Sequence, residues 1–336
     1  MCTCLLFKLP TTLSIIILTS TVLMSHTTQA DEITVGYFLE WPTPNQYAQI
    51  HKLYDKALEV DVNWVAFESG TAMSAAMASG DVQISFSQGI PPFVVAASAG
   101  QDIKIVDIAV SYADNENCVI KADLEIDKNS ADELEGKHIA VPFGTAAHFS
   151  FLKQMEHLNV DTTTMRIVDM TPPDAAAAFA NGNLDMVCGW GGALNRMKQY
   201  GNVLFTGREK EKIGIHVFDA TTVNAQWAQE NPELLSHFLK LTADMNARFL
   251  SPQGSDMLPD IAKAAGMSIE ATSAALEKFV FPDIQTQLSY TWLGGNTQKF
   301  LKSVGDFFVS QGTIPKALDS YENTIDTSYL KAAADL

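Results

Sequence analysis

The chain has 336 residues, 47% hydrophobic and 18% charged, which suits one large or two ordinary globular domains with sizeable cores. Its 39 acidic residues outnumber 22 basic ones, giving a formal net charge of −17 that disfavours nucleic acid and anionic membrane surfaces as partners. Four cysteines include no Cys-x-x-Cys pair and no Cys/His spacing suited to a metal, and no cofactor is expected.

Residues 1–30 read as a secretory signal peptide. Lys8 is the only charge before Ala30, and Leu13 to Met24 is an apolar run too short for a membrane span. Thr28-Gln29-Ala30 looks like a small-residue cleavage site. Cys2 and Cys4 precede the apolar run, which argues against a lipoprotein. The expected mature chain, Asp31 to Leu336, is soluble and exported, with Cys118 and Cys188 as its only cysteines. Both lie on apolar strand-like segments. They either form one bridge in an oxidising compartment or are two buried small residues.

The first strand is expected over Ile33–Phe38, ending in a proline-rich loop, with a helix from Asn45 to Leu58. Strand Val60–Phe67, helix Thr71–Ser79, strand Val82–Phe86, a helix from Phe93 to Ala99 and strand Ile103–Tyr112 follow. This β-α-β-α-β alternation predicts α/β architecture with a parallel sheet covered on both faces. A second unit starts at Cys118–Ala122 and continues with strand His138–Val141 and a helix capped by Thr145. Next come strand Thr164–Val168, helix Ala175–Ala180, strand Leu184–Cys188, helix Leu194–Tyr200 and strands Val203–Thr206 and Ile215–Thr222. Asn231-Pro232-Glu233 marks a helix start with Asn as cap. The remainder reads as mostly helical, over Leu234–Leu250, Leu258–Ala265, Ile269–Phe279 and Gln298–Ser310. Residues 75–81 (Ala-Ala-Met-Ala-Ser-Gly-Asp) echo residues 177–183 (Ala-Ala-Phe-Ala-Asn-Gly-Asn), which suits two similar α/β lobes.

Ligands of open α/β sheets lie beyond the carboxyl ends of the strands. Glu40 and Trp41 follow the first strand, as a carboxylate for a cation beside an aromatic wall or as a solvated loop. Gln88 and Gly89 follow the third, where glycine permits close backbone approach and the next helix would aim its N–H groups at the cleft. Thr145, Ala146, Ala147 and His148 open a helix after the Pro142/Gly144 break. Free N–H groups and the helix dipole make that start a site for a small anion, with His148 either a donor or a core histidine. Trp190, within Cys-Gly-Trp-Gly-Gly, ends a strand among glycines. Asp219 lies inside an apolar strand, where an unpaired carboxylate is costly, so it should meet a cation, donors or water. Two carboxylates, two aromatics and an anion-binding helix start suit a small zwitterion.

These residues carry a resemblance. Ile139-Ala-Val-Pro-Phe through His148, Pro172-Pro173, Gly182 to Trp190 and Gly214 to Asp219 resemble the periplasmic taurine-binding proteins of ABC importers, a group that extends to alkanesulfonate and pyrimidine-precursor binders. Val35-Gly36-Tyr37 and Gly80 to Ile84 match less specifically. The resemblance implies a type II periplasmic binding protein fold, two doubly wound lobes joined by a hinge. Lobe 1 would be residues 31–113 plus 219–336, and lobe 2 residues 114–218. It implies a non-enzymatic monomer that binds a taurine-like ligand in the periplasm and docks on an inner-membrane ABC permease. Asp219 and Glu40 would take the amine, Thr145 to His148 and the Gln88–Gly89 turn the sulfonate, and Trp190 would form an aromatic wall. The first loop, Phe-Leu-Glu-Trp-Pro-Thr-Pro, is bulkier than the small polar loop of taurine binders, and Gln88-Gly89-Ile90 stands for the usual Ser-Ser type turn. The added Trp41 suits an amine larger or more methylated than taurine. Pyrimidine-synthesising enzymes of this fold would be expected to carry a cysteine-rich segment, which is absent here, and a sensor subunit would share the binding but not the permease.

Overall fold

The computed structural model describes residues 32–336 together with Met1 and Thr3, so the expected signal peptide lies, apart from those two residues, outside the described residues. The strands, in chain order, are β1 (Glu32–Phe38), β2 (Asp61–Phe67), β3 (Ile84–Gly89), β4 (Ile103–Tyr112), β5 (Glu116–Lys121), β6 (His138–Val141), β7 (Arg166–Asp169), β8 (Met186–Trp190), β9 (Gly201–Val203), β10 (Phe218–Asn224) and β11 (Phe279–Val280). They build a six-stranded sheet in the order β11-β4-β10-β3-β1-β2 and a five-stranded sheet in the order β7-β6-β8-β5-β9.

Neither sheet is wholly parallel, which corrects the expectation from the β-α-β alternation. β1 pairs in parallel with β2 and β3, but β10 runs antiparallel between β3 and β4. The cause is connectivity. The chain leaves the first sheet after Tyr112, builds the second, and re-enters at Phe218 in the opposite direction. In the second sheet β6 is parallel to β7 and β8, while β5 is antiparallel to β8 and β9.

The local elements differ from expectation where tertiary pairing or a hidden turn decides. The helix expected over Asn45–Leu58 splits into Asn45–Ile50 and Leu53–Leu58, because Lys52 takes a left-handed backbone at φ 50°. No Gly or Pro marks that break. The helix expected from Phe93 begins at Ile90, with Pro91 and Pro92 in its first turn where their missing N–H groups cost nothing. Asn231 does not cap by its side chain, which donates to the Trp227 carbonyl oxygen instead. Phe279, expected to end a helix, pairs with Tyr112 as β11. The expected strand Ile215–Thr222 begins at Phe218 and the expected helix Leu194–Tyr200 at Gly191.

The core between sheets and helices is built from large rings and aliphatics. Tyr54 stacks on Phe238 with centroids 4.8 Å apart, and its hydroxyl pairs with the Thr242 hydroxyl at 2.7 Å. Burial with no compensating cation pushes the Tyr54 phenol well above its usual range. Cys118 and Cys188 face each other across the β5–β8 ladder and are joined by a disulfide. Both are buried, so of the two sequence alternatives the bridge is the one found. The bond closes a sequence separation of 70 residues. Cys118→Ser together with Cys188→Ser should lower stability by about 2–4 kcal/mol, read from urea unfolding under oxidising conditions. Equal midpoints for variant and parent would contradict this.

Candidate ligand cleft

The carboxyl ends of β1 and β3, the start of β10 beside them, and the start of the helix after β6 converge on one small cleft. It is lined by Phe38, Trp41, Gly70, Gly89, Tyr112 and Asp219 from the first sheet's side. Thr145, Ala146 and Trp190 close it from the second. About 20 Å³ is open to the centre of a water-sized sphere. A single water needs about 10–15 Å³ on that measure, so the space suits a small compact ligand and not a nucleotide.

Asp219 is the charged centre. It is 3% exposed. Its Oδ2 accepts from the Ser87 hydroxyl and its Oδ1 from the Tyr112 hydroxyl, both at 2.7 Å. Neither donor is a cation. Burial pushes the Asp219 carboxyl up to about 7 from 3.8, and the two hydroxyl donors only partly offset it. The same burial, with Asp219 beside it, raises the Tyr112 phenol well above its usual value. Ser87 sits where the β3–β10 register shifts and carries φ 141°, an unusual backbone for a residue with a side chain. Its hydroxyl also accepts from Trp41 Nε1 at 3.2 Å, so the strained turn fixes both the carboxylate and the indole.

The opposite end is built from helix starts. Thr145 caps the helix Ala146–Leu158, accepting from the His148 N–H and donating to the Pro142 carbonyl oxygen at 2.6 Å. Among the described residues the N–H groups of Thr145, Ala146 and Ala147 find no acceptor within the chain. A second helix, Gly70–Ser79, starts against the same cleft under a Ser69 cap. A Cβ on Gly144 would lie 3.2 Å from Thr71 Cγ2, which shows how closely the two helix starts approach. Two positive dipole ends with unsatisfied donors therefore meet at one point.

Of the ten residues singled out in the sequence, Trp41, Gly89, Thr145, Ala146, Trp190 and Asp219 come together here. The other four do not. Glu40 points away and pairs with Arg196, at 2.5 and 3.0 Å to its two carboxylate oxygens, so its charge is spent outside the cleft. Its backbone carbonyl oxygen accepts from Gly192 N–H at 3.1 Å. A Cβ on Gly191 would come within 2.4 Å of that oxygen, so the two glycines let the first loop lie across the second sheet's helix start. Gln88 is fully buried, and its amide is consumed by the Gly70 carbonyl oxygen and the Ser74 and Thr222 hydroxyls. The helix after Gly89 has prolines at 91 and 92, which removes two of the N–H groups expected there. Ala147 is fully buried within the first turn, so its side chain does not line the cleft. His148 accepts from Gly144 N–H through Nδ1 and stacks on Phe143 at 5.0 Å. Burial pushes it down to about 4, so it is neutral and structural at physiological pH.

Phe38, Tyr112, Ser87 and Gly70 belong to the site and were not singled out. Phe38 and Tyr112 read as ordinary ends of apolar strands. Ser69 followed by a helix start was a legible capping signal. No group of three or more His, Cys, Asp and Glu among the described residues is placed to hold a metal.

A sequence model described as NMT1/THI5 like matches residues 45–271. The chain belongs to the NMT1/THI5-like family. It is similar to the taurine-binding periplasmic protein of Escherichia coli (strain K12), 27% identical over 311 residues, 90% of this chain and 94% of that protein. Its fold is similar to the alkanesulfonate-binding protein SsuA from Xanthomonas axonopodis pv. citri bound to MOPS, with TM-score 0.72, 18% identity, and 89% and 99% of the two chains covered. The periplasmic aliphatic sulphonate binding protein SsuA from Escherichia coli gives TM-score 0.69 at 21% identity, covering 88% and 92%. At these identities the two structures establish the fold, the type II periplasmic binding protein architecture expected from the sequence.

Proposed function

We propose that this chain is the solute-capturing component of an ABC importer for a small zwitterionic organosulfonate, with taurine the first candidate. The observation that carries this reading is the pairing, in one small cleft, of a buried carboxylate without a cation and a helix start with unsatisfied N–H groups. A sulfonate stays anionic at physiological pH and accepts several N–H bonds at once. Its amine then supplies the charge that Asp219 lacks. Among the described residues no Lys or Arg lines the cleft, so a plain anion would leave Asp219 uncompensated. The name of the Escherichia coli relative supports the same ligand class.

On this reading residues 31–113 plus 219–336 form one lobe and residues 114–218 the other, closing over the ligand by a hinge motion. The Glu40–Arg196 pair and the Gly192-to-Glu40 hydrogen bond span that closure. The chain acts as a periplasmic monomer that presents its closed form to an inner-membrane permease, after removal of residues 1–30. Capture proceeds without chemistry. Cys118 and Cys188 are joined to each other, so neither offers a thiolate.

Calorimetry on the chain from Asp31 onward, with taurine, 2-hydroxyethanesulfonate and a pyrimidine, tests the reading. Taurine should bind with Kd of about 1 μM or tighter, which needs roughly −8 kcal/mol, and the hydroxyl analogue at least about 30-fold more weakly. Heat from the pyrimidine and none from any sulfonate would refute it.

A further inference from the structure

We propose that the cation end of the cleft selects an N-methylated ammonium over a primary one, an inference that rests on reading the cleft as a zwitterion site. Four rings line the cleft with Asp219: Phe38, Trp41, Tyr112 and Trp190. They do not lie parallel. Trp41 meets Tyr112 edge-on at 4.7 Å and 82°, and Phe38 meets Trp190 at 6.1 Å and 58°. An aromatic face holds a cation by its charge without asking for hydrogen-bond acceptors, and rings set at angles around one small cleft can offer it more than one face.

The polar inventory points the same way. A primary ammonium brings three N–H donors. Among the described residues Asp219 is the only carboxylate lining the cleft, and each of its oxygens already accepts a hydroxyl, which leaves about two acceptor positions for three N–H donors. The Thr145 hydroxyl is committed to the Pro142 carbonyl oxygen and the His148 N–H. Trp41 Nε1 is a donor, and it is used on Ser87. A primary ammonium here would leave one N–H without a carboxylate partner, whereas methyl groups replace such donors with apolar surface that the rings cover. Asp219 supplies the counter-charge in either case. The hydrogen bond to Ser87 and packing at 4.6 Å against Phe279 hold the Trp41 ring in this position.

The test is calorimetry at about pH 8 on the mature chain with taurine, N-methyltaurine and N,N,N-trimethyltaurine, and with tetramethylammonium and ammonium chlorides as a pair lacking any sulfonate. The trimethyl compound should bind about tenfold tighter than taurine, the monomethyl compound between them, and tetramethylammonium measurably where ammonium does not. Taurine binding as tightly as the trimethyl compound, or tighter, overturns the inference and leaves the sulfonate reading standing. Tetramethylammonium binding with no heat from any sulfonate keeps the cation cage and removes the sulfonate reading. Silence from all five ligands removes both. Trp190→Leu, at a half-buried position, should cut the trimethyl-to-taurine preference about fivefold. An unchanged preference in that variant means the rings are not its source.

Discussion

Asp219→Asn is expected to abolish capture of a zwitterion and at the same time make the empty protein more stable. Asparagine keeps the shape and can still meet Ser87 and Tyr112, whose hydroxyls rotate, but it carries no charge. Removing one partner of a buried charge contact costs about 2–5 kcal/mol of binding, at least about 30-fold in affinity. The stability gain follows from the carboxyl's displacement from 3.8 up to about 7 by burial. Between those two values the folded chain holds a proton that the unfolded chain has released. Stability therefore falls as pH rises through that window, and the full cost, a few kcal/mol, is present above about pH 7. The variant should melt higher than the parent at about pH 8 and equally at about pH 4. In the parent, affinity for a cationic ligand should weaken towards tenfold per pH unit below about 7, because the ligand must displace the Asp219 proton. Melting curves and calorimetry across pH 5–8 measure both. A variant that binds like the parent, or melts below it at every pH, would contradict this assignment.

Lys210→Met carries the second large effect, on stability. Lys210 and Glu116 are both fully buried, with Nζ 3.1 Å from Oε2 and a further bond from Nζ to the Glu116 carbonyl oxygen at 2.5 Å. They pin together the two stretches by which the chain passes between the sheets, helped by a bond from Gly207 N–H to Asp114 at 2.6 Å. Burial raises the Glu116 carboxyl, and the Lys210 ammonium opposes that rise. Without Lys210 the carboxylate is buried alone, which costs about 3–5 kcal/mol. The loss should be larger at high pH and shrink as Glu116 takes up a proton on acidification, since its raised value then lies higher still. Adding Glu116→Gln should recover most of it. Urea midpoints of the single and double variants decide. A single variant as stable as the parent would mean the pair is dispensable.

How much was legible in the sequence depends on whether the signal was local. Strands Ile103–Tyr112 and His138–Val141 were read at their observed bounds, because alternating apolar residues and flanking breakers define them within a few positions. The antiparallel insertion of β10 was not legible, since nothing within Phe218–Asn224 states that its neighbours are β3 and β4. Asp219 stood out because a carboxylate in an apolar strand demands a reason. Glu40 misled because its partner, Arg196, is 156 residues away. Gln88 is taken up in the same way by partners distant in sequence, whereas His148 is taken up locally, by the Gly144 N–H and the Phe143 ring of its own turn. Tyr112 was overlooked for the opposite reason, as its strand looks like core and only the fold brings its hydroxyl to Asp219.

The most direct measurement is a crystal structure of the chain from Asp31 onward with taurine or its trimethyl derivative bound. The sulfonate oxygens are expected within hydrogen-bonding distance of the Ala146 and Gly70 N–H groups, with the nitrogen against Asp219 inside the ring of Phe38, Trp41, Tyr112 and Trp190. A ligand seated with its anion toward Asp219, or bound outside this cleft, would contradict the assignment of both ends.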